Sequence, residues 1–205
     1  MNDHSDEELM VMFAQGSTAA FETLFERHRD PVFNFIHRML GLDRAAAEDL
    51  FQEIFIKIIK GRDLYTPDAR FTTWLFTIAR NHCLNFLKSR PYAESRRTAS
   101  LDAAPEEGGV PEPAAAEPSA PAPLAAELEH ALQALSAAQR EVFLLHAVEG
   151  LSHAETAAVL GITETNARVQ YHRARTMLRE RLGRALERPE ARSTGSEIRN
   201  NFKSE

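Results

Sequence analysis

The sequence predicts an all-α protein: two small helical domains joined by a flexible, acidic Ala/Pro-rich linker, the second domain a helix-turn-helix. Three observations carry this. Apolar residues recur at helical spacing from Leu9 to Phe86 and again from Leu124 to Leu178, with no period-two strand pattern anywhere. Ser, Thr and Asp stand at the starts of these stretches as N-caps. Between Thr98 and Pro123 the chain is Ala, Pro, Glu, Gly and Ser, and Pro105, Pro111, Pro113, Pro118, Pro121 and Pro123 forbid a regular helix. The expected boundaries are 1–91, a linker over 92–123, 124–186, and a polar tail over 187–205.

In the first domain Ser5 and Glu8 form a capping box ahead of Leu9, Met12 and Phe13, and Gly16 stops the helix. Ser17 opens a second helix with Phe21, Leu24, Phe25, Val32, Ile36, Met39 and Leu40 inward; Pro31 should kink it or break it in two. Asp43 caps a third, with the stripe Ala47, Leu50, Phe51, Ile54, Phe55, Ile58 and Ile59. A loop, Gly61 to Arg70, precedes a fourth helix from Phe71 to Lys88, with Phe71, Trp74, Leu75, Ile78 and Phe86 inward.

The second domain begins with a helix lined by Leu124, Leu128, Ala131, Leu132 and Leu135. Ser136 and Gln139 make a capping box for a helix that holds Val142, Phe143 and Val148 and ends at Gly150. Ser152 and Glu155 make another, for a short helix stopping at Gly161, and Thr163 caps a last helix running to about Leu182.

The net charge of −6 is unevenly placed: the linker is acidic, whereas residues 164–184 hold six arginines against two glutamates. No apolar run reaches the roughly 18 residues of a membrane span. The acidic N-terminus lacks a signal-peptide pattern, and the single cysteine, Cys83, cannot form an internal disulfide. These features place the chain in the cytoplasm with no membrane contact of its own.

Residues 152–182 satisfy the demands of a helix-turn-helix: a short helix, a glycine turn, and a second helix with one buried and one free face. Ala167, Tyr171, Ala174 and Leu178 mark the buried side. Thr163 and Thr165 stand at the helix start, followed by Asn166, Val169 and His172 with Arg168 and Arg173 at the flanks. Short side chains there can approach base edges, and the arginines can meet guanine or phosphate. A merely solvated arginine face is the competing account; turn, caps and charge coincide against it.

The same stretch resembles region 4 of bacterial sigma factors of the extracytoplasmic-function group. The resemblance rests on Gln139-Arg140-Glu141-Val142-Phe143, Gly150-Leu151-Ser152, Glu155, Ala157, Gly161-Ile162-Thr163 and His172-Arg173-Ala174-Arg175. Independently, Asp49-Leu50-Phe51-Gln52-Glu53-Ile54-Phe55 resembles region 2.2, and Phe71-Thr72-Thr73-Trp74-Leu75-Phe76-Thr77-Ile78-Ala79-Arg80-Asn81 resembles regions 2.3 and 2.4. The resemblance covers about 10–91 and 124–184.

It implies that Asp49, Gln52 and Glu53 contact the β′ clamp helices of core RNA polymerase and that region 4 meets the β flap. It implies that the 61–70 loop, with Arg62, Asp63 and Arg70, captures an unpaired base of the −10 element. Thr73, Thr77, Arg80, Asn81, Asn85 and Lys88 on the fourth helix complete the −10 set, and Arg80, Asn81, Asn85 and Lys88 are expected on its outer side. Thr163, Thr165, Asn166, Arg168, Val169, His172 and Arg173 would read the −35 duplex. An anti-sigma partner is implied as well. Gln170 replaces a common basic residue, which leaves promoter sequence open, and Asn85 a common aspartate, which leaves the cap or contact at that place open.

No cofactor or metal is expected, and no enzyme activity. Glu127 and His130 give a lone Glu-x-x-His spacing where a di-metal bundle needs two, paired cysteines are absent, and so is a glycine-rich phosphate loop. The alternative function is a stand-alone helix-turn-helix regulator with a helical partner-binding domain.

Overall fold

The computed structural model describes residues 4–89 and 123–187, so the expected linker, apart from Pro123, and the tail beyond Glu187 lie outside the described residues. Helix α1, Asp6–Ala14, starts at the capping box: Glu8 N donates to Ser5 Oγ at 3.2 Å and Ser5 N to Glu8 Oε2 at 2.9 Å. Helix α2, Thr18–Leu40, is capped by Ser17 and closed by Gly41, whose φ of 64° is the left-handed conformation that suits glycine. It passes through Pro31 as one helix, so the expected break does not occur. Val32, Phe35 and Ile36, all buried, hold the following turn in place.

Helix α3, Arg44–Lys60, is capped by Asp43, which accepts from Ala46 N at 2.9 Å. Of its stripe, Ala47, Leu50, Ile54, Phe55 and Ile58 are buried as the spacing predicts, Phe51 is half-buried, and Ile59, 39% exposed, lies off the buried face that its neighbour Ile58 still occupies. A 3-10 turn, Arg62–Leu64, leads toward α4, Phe71–Lys88. Phe35 and Phe76 meet edge to face at 5.3 Å between ring centres.

Helix α5, Pro123–Gln133, uses Pro123 as its first residue, where a missing N–H costs nothing, so the helix begins within the span expected to be linker. Helix α6, Ala137–Phe143, opens with the Ser136–Gln139 capping box. It does not continue as α-helix to Gly150. A π-helical turn, Leu144–Val148, follows, with Glu149 N donating to Leu144 O at 3.0 Å. The wider turn lets consecutive Leu144 and Leu145 both lie buried, while Val148 is exposed. Helix α7, His153–Leu160, ends at Gly161 (φ 67°), and α8, Glu164–Glu187, runs past the expected Leu182.

The two halves do not have separate cores. Buried side chains from α1–α4 and from α5–α8 form one continuous hydrophobic cluster. Arg140 ties the joint. It donates to the carbonyls of Leu132 (3.0 Å), Gln133 (2.8 Å) and Leu135 (3.3 Å) at the end of α5, and to Met39 O (3.1 Å) at the end of α2. A guanidinium at two helix C-termini binds carbonyls of their last turns and meets the favourable end of each helix dipole.

Candidate nucleic-acid interface

In α8 the sequence segregates two faces. Ala167, Ala174 and Leu178 are buried, and Tyr171 stacks on Phe143 with ring centres 6.2 Å apart. Thr163, Thr165, Asn166, Arg168, Val169, His172 and Arg173 are all exposed, so the structure gathers the seven expected −35 residues on one open face. Thr163 Oγ1 accepts from Asn166 N at 3.2 Å, which fixes the helix start. Arg168 pairs with Glu164 one turn back. Behind this helix His146 and His153 stack with ring centres 3.9 Å apart, and His146 Nδ1 donates to Leu151 O at 2.7 Å. Burial, with the His146 and Arg168 charges, lowers the pKa of His153 and favours its neutral form.

The 61–70 loop is tied internally. Tyr65 OH donates to Ala69 O at 3.1 Å, and its buried ring lies edge-on to Phe71 (6.1 Å) and Trp74 (5.4 Å). Trp74 is thus a half-buried core residue. The Arg62 guanidinium sits over the Phe13 ring at 5.5 Å, while Asp63 and Arg70 are exposed. Leu64, in the 3-10 turn, is 79% exposed, an apolar group that is not among the residues expected in the loop.

Along α4 the expected residues separate. Asn81, Asn85 and Lys88 are exposed. Thr77 Oγ1 donates to Thr73 O of its own helix at 2.7 Å, and Thr73 Oγ1 is buried without a hydrogen-bond partner. Arg80 is not on an open outer face. Its side chain is 18% exposed and donates from Nε to Glu141 Oε2 at 2.6 Å, across the joint between the halves. Arg70 lies 3.5 Å from Glu155 of α7, and Arg38 donates to Glu129 at 2.8 Å. Two of the arginines expected at −10 DNA therefore face carboxylates of the other half.

On α3, Asp49, Gln52 and Glu53 are exposed on one edge, as their spacing requires. Glu53 lies 2.6 Å from His82 Nε2 of α4. Asp49, Glu53, His82 and Phe86 line a groove of about 350 Å³ between the two helices. Ile56, 48% exposed, extends the same edge by one turn. Its signal was in the sequence, three and four residues beyond Glu53 and Gln52 and off the apolar stripe, but it was not among the residues expected on this edge. Cys83 is buried, and burial pushes its thiol up to about 12, which removes it from thiolate chemistry near neutral pH. Among the described residues no three His, Cys, Asp or Glu side chains come together as a metal site.

Comparison with known proteins follows the same division. The sigma-70 region 2 family model matches residues 24–91 and the sigma-70 region 4 model matches 125–178. The chain is 39% identical over 174 residues to the RNA polymerase sigma factor CarQ of Myxococcus xanthus, covering 85% of this chain and 95% of CarQ. Among solved structures it superposes on that of CnrH in complex with the cytosolic domain of CnrY with a TM-score of 0.64 and 27% identity, over 88% of this chain and 99% of that one. It also superposes on the sigma factor RpoE in complex with the anti-sigma factor NepR from Bartonella quintana, with a TM-score of 0.61 and 25% identity, over 80% and 96%. Two sigma-70 regions in order, on a fold shared along nearly the whole chain, place this protein among the RNA polymerase sigma factors of the extracytoplasmic-function group.

Proposed function

We propose that this sigma factor, which directs transcription initiation, divides promoter recognition between its halves. Helix α8 reads the −35 duplex in the major groove. The 61–70 loop and α4 take the unpaired −10 strand, the Asp49–Gln52–Glu53 edge docks on the β′ clamp helices of core RNA polymerase, and region 4 touches the β flap. The observation that carries this reading is the two-sidedness of α8: an apolar face in the core and seven exposed residues suited to bases and phosphates. The protein acts as a subunit lending specificity to the polymerase, not as a catalyst. It works in the cytoplasm; no helix among the described residues is long and apolar enough to cross a membrane.

The closed arrangement is not the promoter-bound one. The −35 and −10 elements lie about 25 base pairs apart, or about 85 Å along B-DNA at about 3.4 Å per pair. A compact chain of this length has a radius of gyration of only about 17 Å. The halves must separate to reach both elements, and separation frees Arg80 and Arg70 from Glu141 and Glu155. The segment between the halves can span up to about 110 Å by covalent geometry. An anti-sigma partner is supported by the two solved structures, each a complex with a second protein. Transcription from a random promoter library with purified core polymerase tests the reading: selected promoters should share a −35 and a −10 motif that the core alone does not select.

A further inference from the structure

We infer that Glu7, in the first turn of α1, is a positioning residue for the −10 loop and the start of α4. The inference rests on the −10 role proposed above for residues 61–70, and its support is geometric. Helix α4 begins at Phe71, and its N-cap, Arg70, has no side chain able to accept a hydrogen bond there. The first N–H groups of a helix have no partner within it. Here the Phe71 N–H donates to Glu7 Oε1 at 2.9 Å, across 64 residues of sequence. A carboxylate at a helix N-terminus also meets the favourable end of the helix dipole. That hydrogen bond is the main reason the Glu7 carboxyl titrates below the usual range.

Glu7 is itself held. Its neighbour Asp6 accepts from Arg27 Nη1 at 2.7 Å and lies 2.6 Å from His28 Nε2, which anchors the turn to α2. The His28 ring packs against Phe71 at 5.2 Å. The other end of the loop is held by the same short helix, since Arg62 sits over Phe13. One helix therefore brackets the loop at both ends, through Phe13–Arg62 on entry and Glu7–Phe71 on exit. Between them Tyr65 OH and Ala69 O close the loop on itself. A base-capturing loop must present a fixed shape before the base arrives, because ordering it afterwards would subtract from the binding free energy. Glu7 supplies the fixed exit without touching DNA.

The test uses the full chain with core polymerase and a promoter selected by the wild-type protein, with E7A and E7Q as variants. The glutamine side chain of E7Q keeps an acceptor oxygen at the same reach, and the alanine of E7A has none. Strand opening, followed with a fluorescent base analogue in the −10 element, should slow in E7A by between about twofold and about thirtyfold, the range that loss of a helix cap supplies. E7Q should restore most of that rate. Core co-purification and −35 selection should be unchanged in both. Hydrogen exchange of the Phe71 amide in the free protein should be fast in E7A and slow in wild type and E7Q. Opening by E7A at the wild-type rate, failure of E7Q to rescue, or a parallel loss of core binding, −35 selection and opening would each overturn the inference. A wild-type chain that exchanges Phe71 slowly but opens no promoter with core overturns the underlying reading, and the inference with it.

Discussion

Arg80 and Glu141 form an ion pair across the two halves of the chain: Nε and Oε2 are 2.6 Å apart, and the side chains are only 18% and 10% exposed. One comes from the helix proposed to hold the −10 strand, the other from the domain proposed to read −35. The pair therefore couples the domain arrangement to the availability of an arginine proposed to contact DNA. Further polar contacts cross the same joint, among them Arg38–Glu129, Arg70–Glu155, Arg140 to Met39 O and Gln133 Nε2 to Arg38 O.

The first prediction concerns this pair. In E141A the Arg80 charge stays in the joint without its partner, which disfavours closure by on the order of 3 kcal/mol, the low end for a broken buried pair. The domains of the free protein should then separate, read as a longer distance between fluorophores at exposed Asn85 and Thr176. An unchanged distance distribution would mean that the remaining polar contacts and the apolar packing hold the joint without this pair.

Glu149 provides a pH signature. Burial raises its pKa from 4.5 to about 7, with Arg38 opposing the shift. A carboxyl whose folded pKa lies above its unfolded value adds stability that is complete below about 4.5 and is lost as the pH rises through about 7. E149Q should therefore melt higher than wild type at pH 8, by on the order of 1–2 kcal/mol once partial exposure is discounted, and match it near pH 5. Thermal melts at the two pH values check this; equal differences at both would exclude the titration.

On α8 the exposed residues should fail in two ways. R173A should weaken binding to all −35 sequences alike and flatten the salt dependence if it meets phosphate, or cost about 1–3 kcal/mol at one position if it reads guanine. V169A and H172A should shift the selected −35 sequence, because both stand mid-face. Sequencing −35 sites selected with core polymerase distinguishes these results. A selected motif unaffected by all three would remove the helix as reader.

The helices were legible in sequence because their signals are local. Capping boxes at Ser5, Ser136 and Ser152 and the period of Leu50, Ile54 and Ile58 depend on neighbours three and four residues away, and the structure follows them. The face of α8 was legible for the same reason. What could not be read is long-range. Arg80 on a helix pattern is an outward arginine until Glu141 is brought to it from 61 residues away. Glu7 is one acidic residue among four in the first eight until Phe71 N meets it. The π-helical turn at Leu144–Val148 had no local marker, since its sequence is a good α-helix former and only packing shows why Leu144 and Leu145 both turn inward.

Co-purification of the full chain with core RNA polymerase, made on wild type and on D49A/Q52A, decides whether the protein acts through the polymerase. Both substituted residues are exposed on α3, so the variant should keep its helicity and melt within about 0.5 kcal/mol of wild type. Wild type should bind core and gain tight, promoter-selective DNA binding only with it. D49A/Q52A, equally folded by circular dichroism, should lose most of that binding, because interface energy concentrates in few residues. A wild-type chain that ignores core and binds a DNA site tightly on its own would rule out action through the polymerase and leave a stand-alone helix-turn-helix regulator.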